Sequence, residues 1–183
     1  MNEADRAAAI RVSLRRLIDT EAERLGFSAV GVADPAGIEA AGRDLARFLE
    51  AGHHGSMTWM AETAARRADP RVLWPEVRSI VVFAFDYGPE QNPLAATRDP
   101  SRGEISAYAR HRDYHEVIKG RLKEIAAKLA AEAKRAGVAC DLKVFVDTAP
   151  VMEKPLPQAA GIAWVAKSTL AISRKIGWWF FLG

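Results

Sequence analysis

The stretch RSIVVFAFDY, residues 78–87, limits the fold more than any other part of the chain. A strand turns alternate residues to opposite faces, and here the apolar residues occupy both positions of that repeat. Such a strand has no side to show to water, so it belongs in the middle of a sheet covered above and below. FSAVGVAD (27–34) and LKVFVD (142–147) read as further strands, and ISAYA (105–109) is strand-like. Between them lie helical patterns. Residues 5–25 carry Ile10, Leu14, Leu17, Ile18 and Leu25 on one stripe and stop at Gly26. Residues 37–51 present Ile38, Leu45, Phe48 and Leu49 and stop at Gly52. A short helix is expected through Trp59 and Met60, before a loop punctuated by Pro70 and Pro75. A polar, proline-containing loop covers 88–104. Asp113 and Glu116 then stand at capping-box spacing before a helix that runs through Ile118, Leu122, Ile125 and Leu129 to Gly137. Strands that alternate with helices predict an α/β fold: a layered mixed sheet with helices on both faces, in one domain spanning 1–183. The apolar run GWWFFLG (177–183) is either a terminal strand tucked into the sheet or the point where a longer protein continues into a further module.

Composition removes several function classes. Hydrophobic residues are 49% and charged residues 27%, the balance of a soluble globular protein, and the net charge of +3 permits an anionic partner without requiring one. The single cysteine, Cys140, rules out an internal disulfide, a four-cysteine zinc site and an iron–sulfur cluster held by this chain alone. Its place at the entry to a predicted strand suggests a small buried residue. The first 27 residues are too charged for a signal peptide, and no apolar run approaches the roughly 20 residues of a membrane span, so a cytoplasmic protein is expected. His111 and His115 are four apart, but Arg112 stands where a metalloprotease HExxH motif needs glutamate, and no dedicated metal site is expected. Dinucleotide and P-loop glycine patterns are missing, and Ser168 and Thr169 lack a nucleophile's context. Eleven Lys or Arg face seven Asp or Glu between 98 and 143, a surplus explained by a solvated helix face or, less simply, by a nucleic-acid footprint.

One carboxylate stands out. In KVFVDTAPVMEKPLPQAAG (143–161), Asp147 falls where the strand pattern meets a turn, a place where α/β proteins hold reactive groups over a crevice. The same position also suits an aspartate that merely caps the next turn. Lys154 and Lys167 follow nearby.

Four motifs decide between these readings. RxxPxxLxP (Arg67, Pro70, Leu73, Pro75), YARHRDYH (108–115), FVDTAPVMEKPL (145–156) and AGIAWVAKSTL followed by GWWFFLG occur together, in order. In this the chain resembles the N-terminal, cobalamin-binding domain of the epoxyqueuosine reductase family, which is related to the corresponding domain of reductive dehalogenases. The resemblance implies a cobalamin-dependent oxidoreductase. Its reaction would remove the epoxide oxygen from epoxyqueuosine at the wobble position of tRNA, the last step of queuosine biosynthesis. It also implies that [4Fe–4S] clusters in a downstream ferredoxin-like domain, fed by an electron donor, reduce the cobalt. Those clusters need about eight cysteines, so this chain would be the front part of a longer, monomeric protein. By the same resemblance Asp147 is the catalytic acid at the corrin face, kept protonated near neutral pH by apolar surroundings. Arg67, Ser106, Asp147, Ala171 and Leu182 would contact the cobalamin, Ala171 and Leu182 through their backbone. Lys154 and Lys167 would face substrate or tRNA phosphate. Ala163, Ser168 and His111 depart from the family's usual residues and bear on fine pocket geometry. The alternative is a corrinoid- or RNA-binding relative without catalysis.

Overall fold

The computed structural model describes residues 2–90, 92, 100–101 and 103–183. Strand β2 (Ile80–Asp86) is the centre of a three-stranded sheet, with β1 (Ala29–Ala33) on one side and β5 (Phe180–Leu182) on the other. Both pairings are antiparallel: Val30 lies opposite Phe83, and Ala84 lies opposite Leu182. A separate two-stranded ladder joins β3 (Trp164–Val165) to β4 (Ala171–Ile172). The α/β layering is as expected, with ladders that run antiparallel throughout the described residues.

The two-sided apolar pattern of β2 finds two cores. Phe83 is buried with Ile18 and Ala22 of α1 (Glu3–Arg24) and with Ile118, Leu122, Ile125 and Leu129 of α6 (Tyr114–Arg135), and Val81 and Phe85 pack against the same cluster. On the opposite face Val82 is buried with Ile38 and with Leu156 of α7 (Pro155–Ala159), joined by Ile80 and Leu182. Odd and even residues of one strand therefore stabilise different layers, as the pleat dictates. Helices α2 (Glu39–Glu50), α3 (Thr58–Glu62), α4 (Ala64–Ala68) and α5 (Pro70–Leu73) fill the connection between β1 and β2. Close approach of α7 to β1 requires a residue without a side chain at Gly31. A Cβ there would meet the Ala160 carbonyl oxygen at 2.6 Å and Ile162 Cγ2 at 2.8 Å.

Four expectations differ from the structure. The expected loop at Pro70 holds the short helix α5, with Pro70 in its first turn and Asp69 capping it by accepting the Arg71 N–H. LKVFVD enters no ladder among the described residues. Its side chains still alternate, with Val146 fully buried and Phe145 turned outward, but the positive φ of Asp147 turns the chain away, and both edges of β2 are already paired. ISAYA is a 3-10 turn at Ala107–Ala109 rather than a strand, because Arg110 Nε reaches back to the Ile105 carbonyl (2.9 Å) and closes it. Cys140 is exposed, since the segment that follows α6 runs along the surface. Part of the expected loop 88–104, namely residues 91, 93–99 and 102, lies outside the described residues. The terminal apolar run forms β5, which closes on β2 with paired bonds between Phe83 and Gly183.

Candidate active site

Asp147 has φ +52°, the left-handed region that few residues other than glycine adopt and that aspartate tolerates better than most. The chain is anchored on both sides of this turn. Val146 belongs to the core shared by α1 and α6, and Val151 packs into the core beneath α7. The acid thus sits on a short bridge between two buried anchors.

The first turn of α6 faces it. Asp113 caps that helix by accepting the His115 N–H at 2.9 Å, and its carboxylate also holds His115 Nδ1 at 2.7 Å. That bond leaves His115 Nε2 turned to Asp147 Oδ2 at 3.4 Å, and it holds the Asp113 carboxyl below the usual carboxylate range. Tyr114 Oη donates to Asp147 Oδ2 at 2.5 Å. Its ring lies flat between neighbours, 3.8 Å from Phe181 of β5 with the planes 6° apart, and 4.0 Å from the His115 ring. Burial, followed by the bond to Asp147, pushes the Tyr114 phenol well above its ordinary value, so it remains a donor.

Glu153, six residues beyond the acid, closes the arrangement. Its Oε1 accepts the Asp147 N–H at 3.0 Å, which brings the two carboxyl groups close enough to bear on each other's ionisation. Two like charges at that distance do not both persist in a partly buried site. Burial raises both groups. Hydrogen bonds from Glu153, Tyr114 and His115 bring Asp147 back below the ordinary carboxylate range, whereas burial and the neighbouring Asp147 push Glu153 up to about 8. The expectation that the proton rests on Asp147 itself is therefore corrected. At neutral pH the pair holds it on Glu153, because Tyr114 donates to the Asp147 carboxylate whereas Glu153 accepts only the Asp147 N–H.

The remaining expected site residues divide. Leu182 shares the α7-side core with Val151 and Met152 of the Asp147 loop, and Lys154 is exposed beside Glu153 at the start of α7. Arg67 is half-buried on α4, its Nε on Thr63 Oγ1 at 2.8 Å and its guanidinium 4.9 Å from the Trp59 ring. No other hydrogen-bond partner is found for it among the described residues. Ser106 is exposed at the head of the 3-10 turn. Ala171 lies half-buried in β4, and Lys167 is exposed in the β3–β4 turn. Arg67, Ser106, Ala171 and Lys167 make no hydrogen bond or ion pair with the Asp147 cluster among the described residues. Among those residues, too, no group of three His, Cys, Asp or Glu could hold a metal ion. An open groove of about 920 Å³ between α1, β1 and residues 161–176 is lined by none of the expected site residues. Sequence reasoning missed Tyr114, His115 and Glu153 as site residues. A second acid six residues after Asp147, across a single proline turn, was the available signal for Glu153.

Residues 67–148 match the family model described as Epoxyqueuosine reductase QueG, DUF1730. Among curated proteins, the epoxyqueuosine reductase of Aliivibrio fischeri is 40% identical over 165 residues, 88% of this chain and 43% of the relative. That of Shewanella oneidensis is 36% identical over 184 residues, 100% of this chain and 46% of the relative. The Escherichia coli enzyme is 36% identical over 160 residues, 87% and 41% of the two chains. The chain thus spans somewhat under half the length of these relatives. Among solved structures, an epoxyqueuosine reductase with an epoxyqueuosine-modified tRNA-Tyr stem loop shares the fold at TM-score 0.73 and 20% identity, over 94% of this chain and 44% of that one. The Bacillus subtilis enzyme, with its catalytic aspartate loop swung out of the active site, matches at TM-score 0.70 and 19% identity over the same shares.

Proposed function

We propose, for a chain that is a relative of epoxyqueuosine reductases over nearly its whole length, that its 183 residues act as one domain, the cofactor- and substrate-binding part of such an enzyme. The observation that carries the reading is the acid itself. Asp147 stands on a turn with its side chain 44% exposed, beside a second carboxyl that holds a proton at neutral pH. Opening an epoxide puts negative charge on oxygen, and a proton must reach that oxygen as the bond breaks. The proton held by Glu153 passes to Asp147, and from the exposed Asp147 carboxyl to the oxygen; the second proton that departure as water requires, and the one that restores Glu153, come from solvent through the same exposed carboxyl. Tyr114 Oη keeps the Asp147 carboxyl aimed, and Tyr114 is held in turn by its stack on Phe181.

The side chains present are chemically suited to a corrinoid. The terminal guanidinium nitrogens of Arg67, without a hydrogen-bond partner among the described residues, suit amide or phosphate groups of the corrinoid rim, and Phe145 offers outward apolar surface two residues before the acid. In this reading Arg67, Ser106 and Asp147, with the backbone of Ala171 and Leu182, hold the cobalamin. When bound, it supplies the two electrons that removal of the oxygen as water consumes. With a single cysteine this chain cannot ligate [4Fe–4S] clusters, so the relay from an electron donor lies outside it. The substrate is tRNA carrying epoxyqueuosine, in line with the stem loop bound to a protein of this fold. Exposed Lys154 and Lys167 meet its phosphates. No helix among the described residues is long and apolar enough to cross a membrane, and a monomer working in the cytoplasm accords with a tRNA substrate.

The test is turnover of an epoxyqueuosine-modified stem loop with added cobalamin and a one-electron chemical reductant. Asp147→Asn should lower the rate by about a hundredfold or more with unchanged RNA binding, and full activity in that variant would refute the assignment. Corrinoid retained without turnover in the unaltered chain would favour the alternative of a non-catalytic corrinoid-binding protein.

A further inference from the structure

We propose that Glu153 is a positioning residue for Asp147: as an undissociated carboxyl it accepts the Asp147 N–H and donates to the Asp147 carboxylate, and so holds the acid in its left-handed turn. The geometry needs such a device. A non-glycine residue at φ +52° is strained and persists only where its surroundings fix it. Glu153 is the side chain that reaches the Asp147 N–H, at 3.0 Å, and that bond brings its carboxyl beside the Asp147 side chain, close enough for each to bear on the other's ionisation. In the proposed arrangement one carboxyl group grips the backbone and the side chain of the same residue. Only the protonated form can do both. A glutamate anion could still accept the N–H, but it would face Asp147 with like charge and no proton to share.

The surroundings favour that form. Burial raises Glu153, and the titratable groups facing the pair are Tyr114 and His115 of α6 with its cap Asp113, while Lys154 follows Glu153 in the chain. Tyr114 and His115 direct their polar atoms to Asp147 Oδ2, so they favour ionisation of Asp147 and leave the proton to Glu153. The grip is consequently complete at neutral pH and is released as Glu153 ionises near pH 8. Above that point the turn loses its donor and gains a second negative charge.

The inference rests on the reductase reading for what Asp147 does, though not for how it is held. The experiment is therefore done on the whole chain with neither corrinoid nor RNA. The amide of Asp147 is followed by nitrogen-15 NMR from pH 6 to about 9, together with its hydrogen-exchange protection, in the parent chain, Glu153→Gln and Glu153→Ala. In the parent the Asp147 amide shift should titrate with a midpoint near 8. Glutamine keeps an oxygen to accept and an N–H to donate, so Glu153→Gln should retain the protection and lose the titration. Glu153→Ala should lose roughly tenfold or more of the protection at this amide, with Val146 and the sheet unchanged. A titration that persists in Glu153→Gln would belong to a group other than Glu153, and it would overturn the proposal, as would parental protection in Glu153→Ala. If the alanine variant does not fold, the parent and glutamine chains decide by themselves. Turnover without this titration would leave the reductase reading intact and refute the grip. The titration without turnover would do the reverse.

Discussion

Replacing Gly31 by alanine tests whether the close seating of α7 on β1 is as tight as the geometry says. Gly31 has an ordinary strand conformation, so its backbone alone would welcome a side chain. Loss of unfolded-state entropy would even stabilise the fold by about 0.4–1 kcal/mol. The obstacle is contact: the new Cβ would lie 2.6 Å from the Ala160 carbonyl oxygen, 2.8 Å from Ile162 Cγ2 and 2.9 Å from Ala160 Cβ. Two of these three atoms belong to Ala160, at the end of α7, so a rotamer change cannot relieve them and the helix end has to move. Overpacking of this kind costs about 1–3 kcal/mol. Because the clash involves backbone oxygen, the upper half of that range should outweigh the entropy gain and leave a net loss of about 1–2 kcal/mol. For a chain of this size each kcal/mol lowers Tm by about 2–4 °C, which predicts a fall of about 2–8 °C in thermal unfolding followed by circular dichroism. Gly52→Ala is the control. It meets nothing within 4 Å but has φ +72°, so its cost arises from strain alone and should be the same whether or not Ala160 is shortened. Ala160→Gly should recover part of the Gly31→Ala loss, by removing the 2.9 Å contact, and none of the Gly52→Ala loss. A Gly31→Ala chain with parental Tm would mean that α7 does not press on β1 as described.

Two further outcomes concern partners. Arg67→Ala removes a half-buried guanidinium from Trp59 and Thr63, which should cost no more than about 1 kcal/mol of stability. It should nevertheless weaken the corrinoid absorption spectrum that survives desalting after incubation with cobalamin; an undiminished spectrum would take Arg67 out of the cofactor site. Lys154→Glu reverses an exposed charge at the start of α7. It should lower affinity for the modified stem loop at low salt and reduce the slope of log affinity on log salt by about 1–2, whereas an unchanged slope would remove Lys154 from the RNA surface.

What the sequence disclosed depended on how local the signal was. The central place of β2 was legible because six consecutive residues, 80–85, were apolar in both phases of the repeat. The long helices were legible from their stripes and from the glycines that end them. LKVFVD misled because alternation reports which side chains face a core, and Val144 and Val146 do, while a ladder also needs a partner edge that other strands had taken. Asp147 was found from its place at the end of that pattern and from the FVD motif. Its chemistry was not, because the proton's location depends on Tyr114, 33 residues away, and on Glu153, whose burial no local pattern reports. Arg67 illustrates the same limit in reverse: the motif identified it, but its stacking on Trp59 is a tertiary event.

The two anchors of the acid have a consequence for how variation in this chain should be read. Val146 answers to the core of Ile18, Phe83 and Leu129, and Val151 to that of Ile38, Val82 and Leu156, on opposite faces of one sheet. The relative heights of these two footings set where the carboxyl of Asp147 comes to rest. A conservative change in either layer, such as leucine to methionine at 129 or isoleucine to valine at 38, would leave abundance almost untouched while tilting the span between them. In a survey of variants, substitutions that reduce activity at normal protein level should therefore appear deep in both hydrophobic layers, at sites that touch neither substrate nor cofactor.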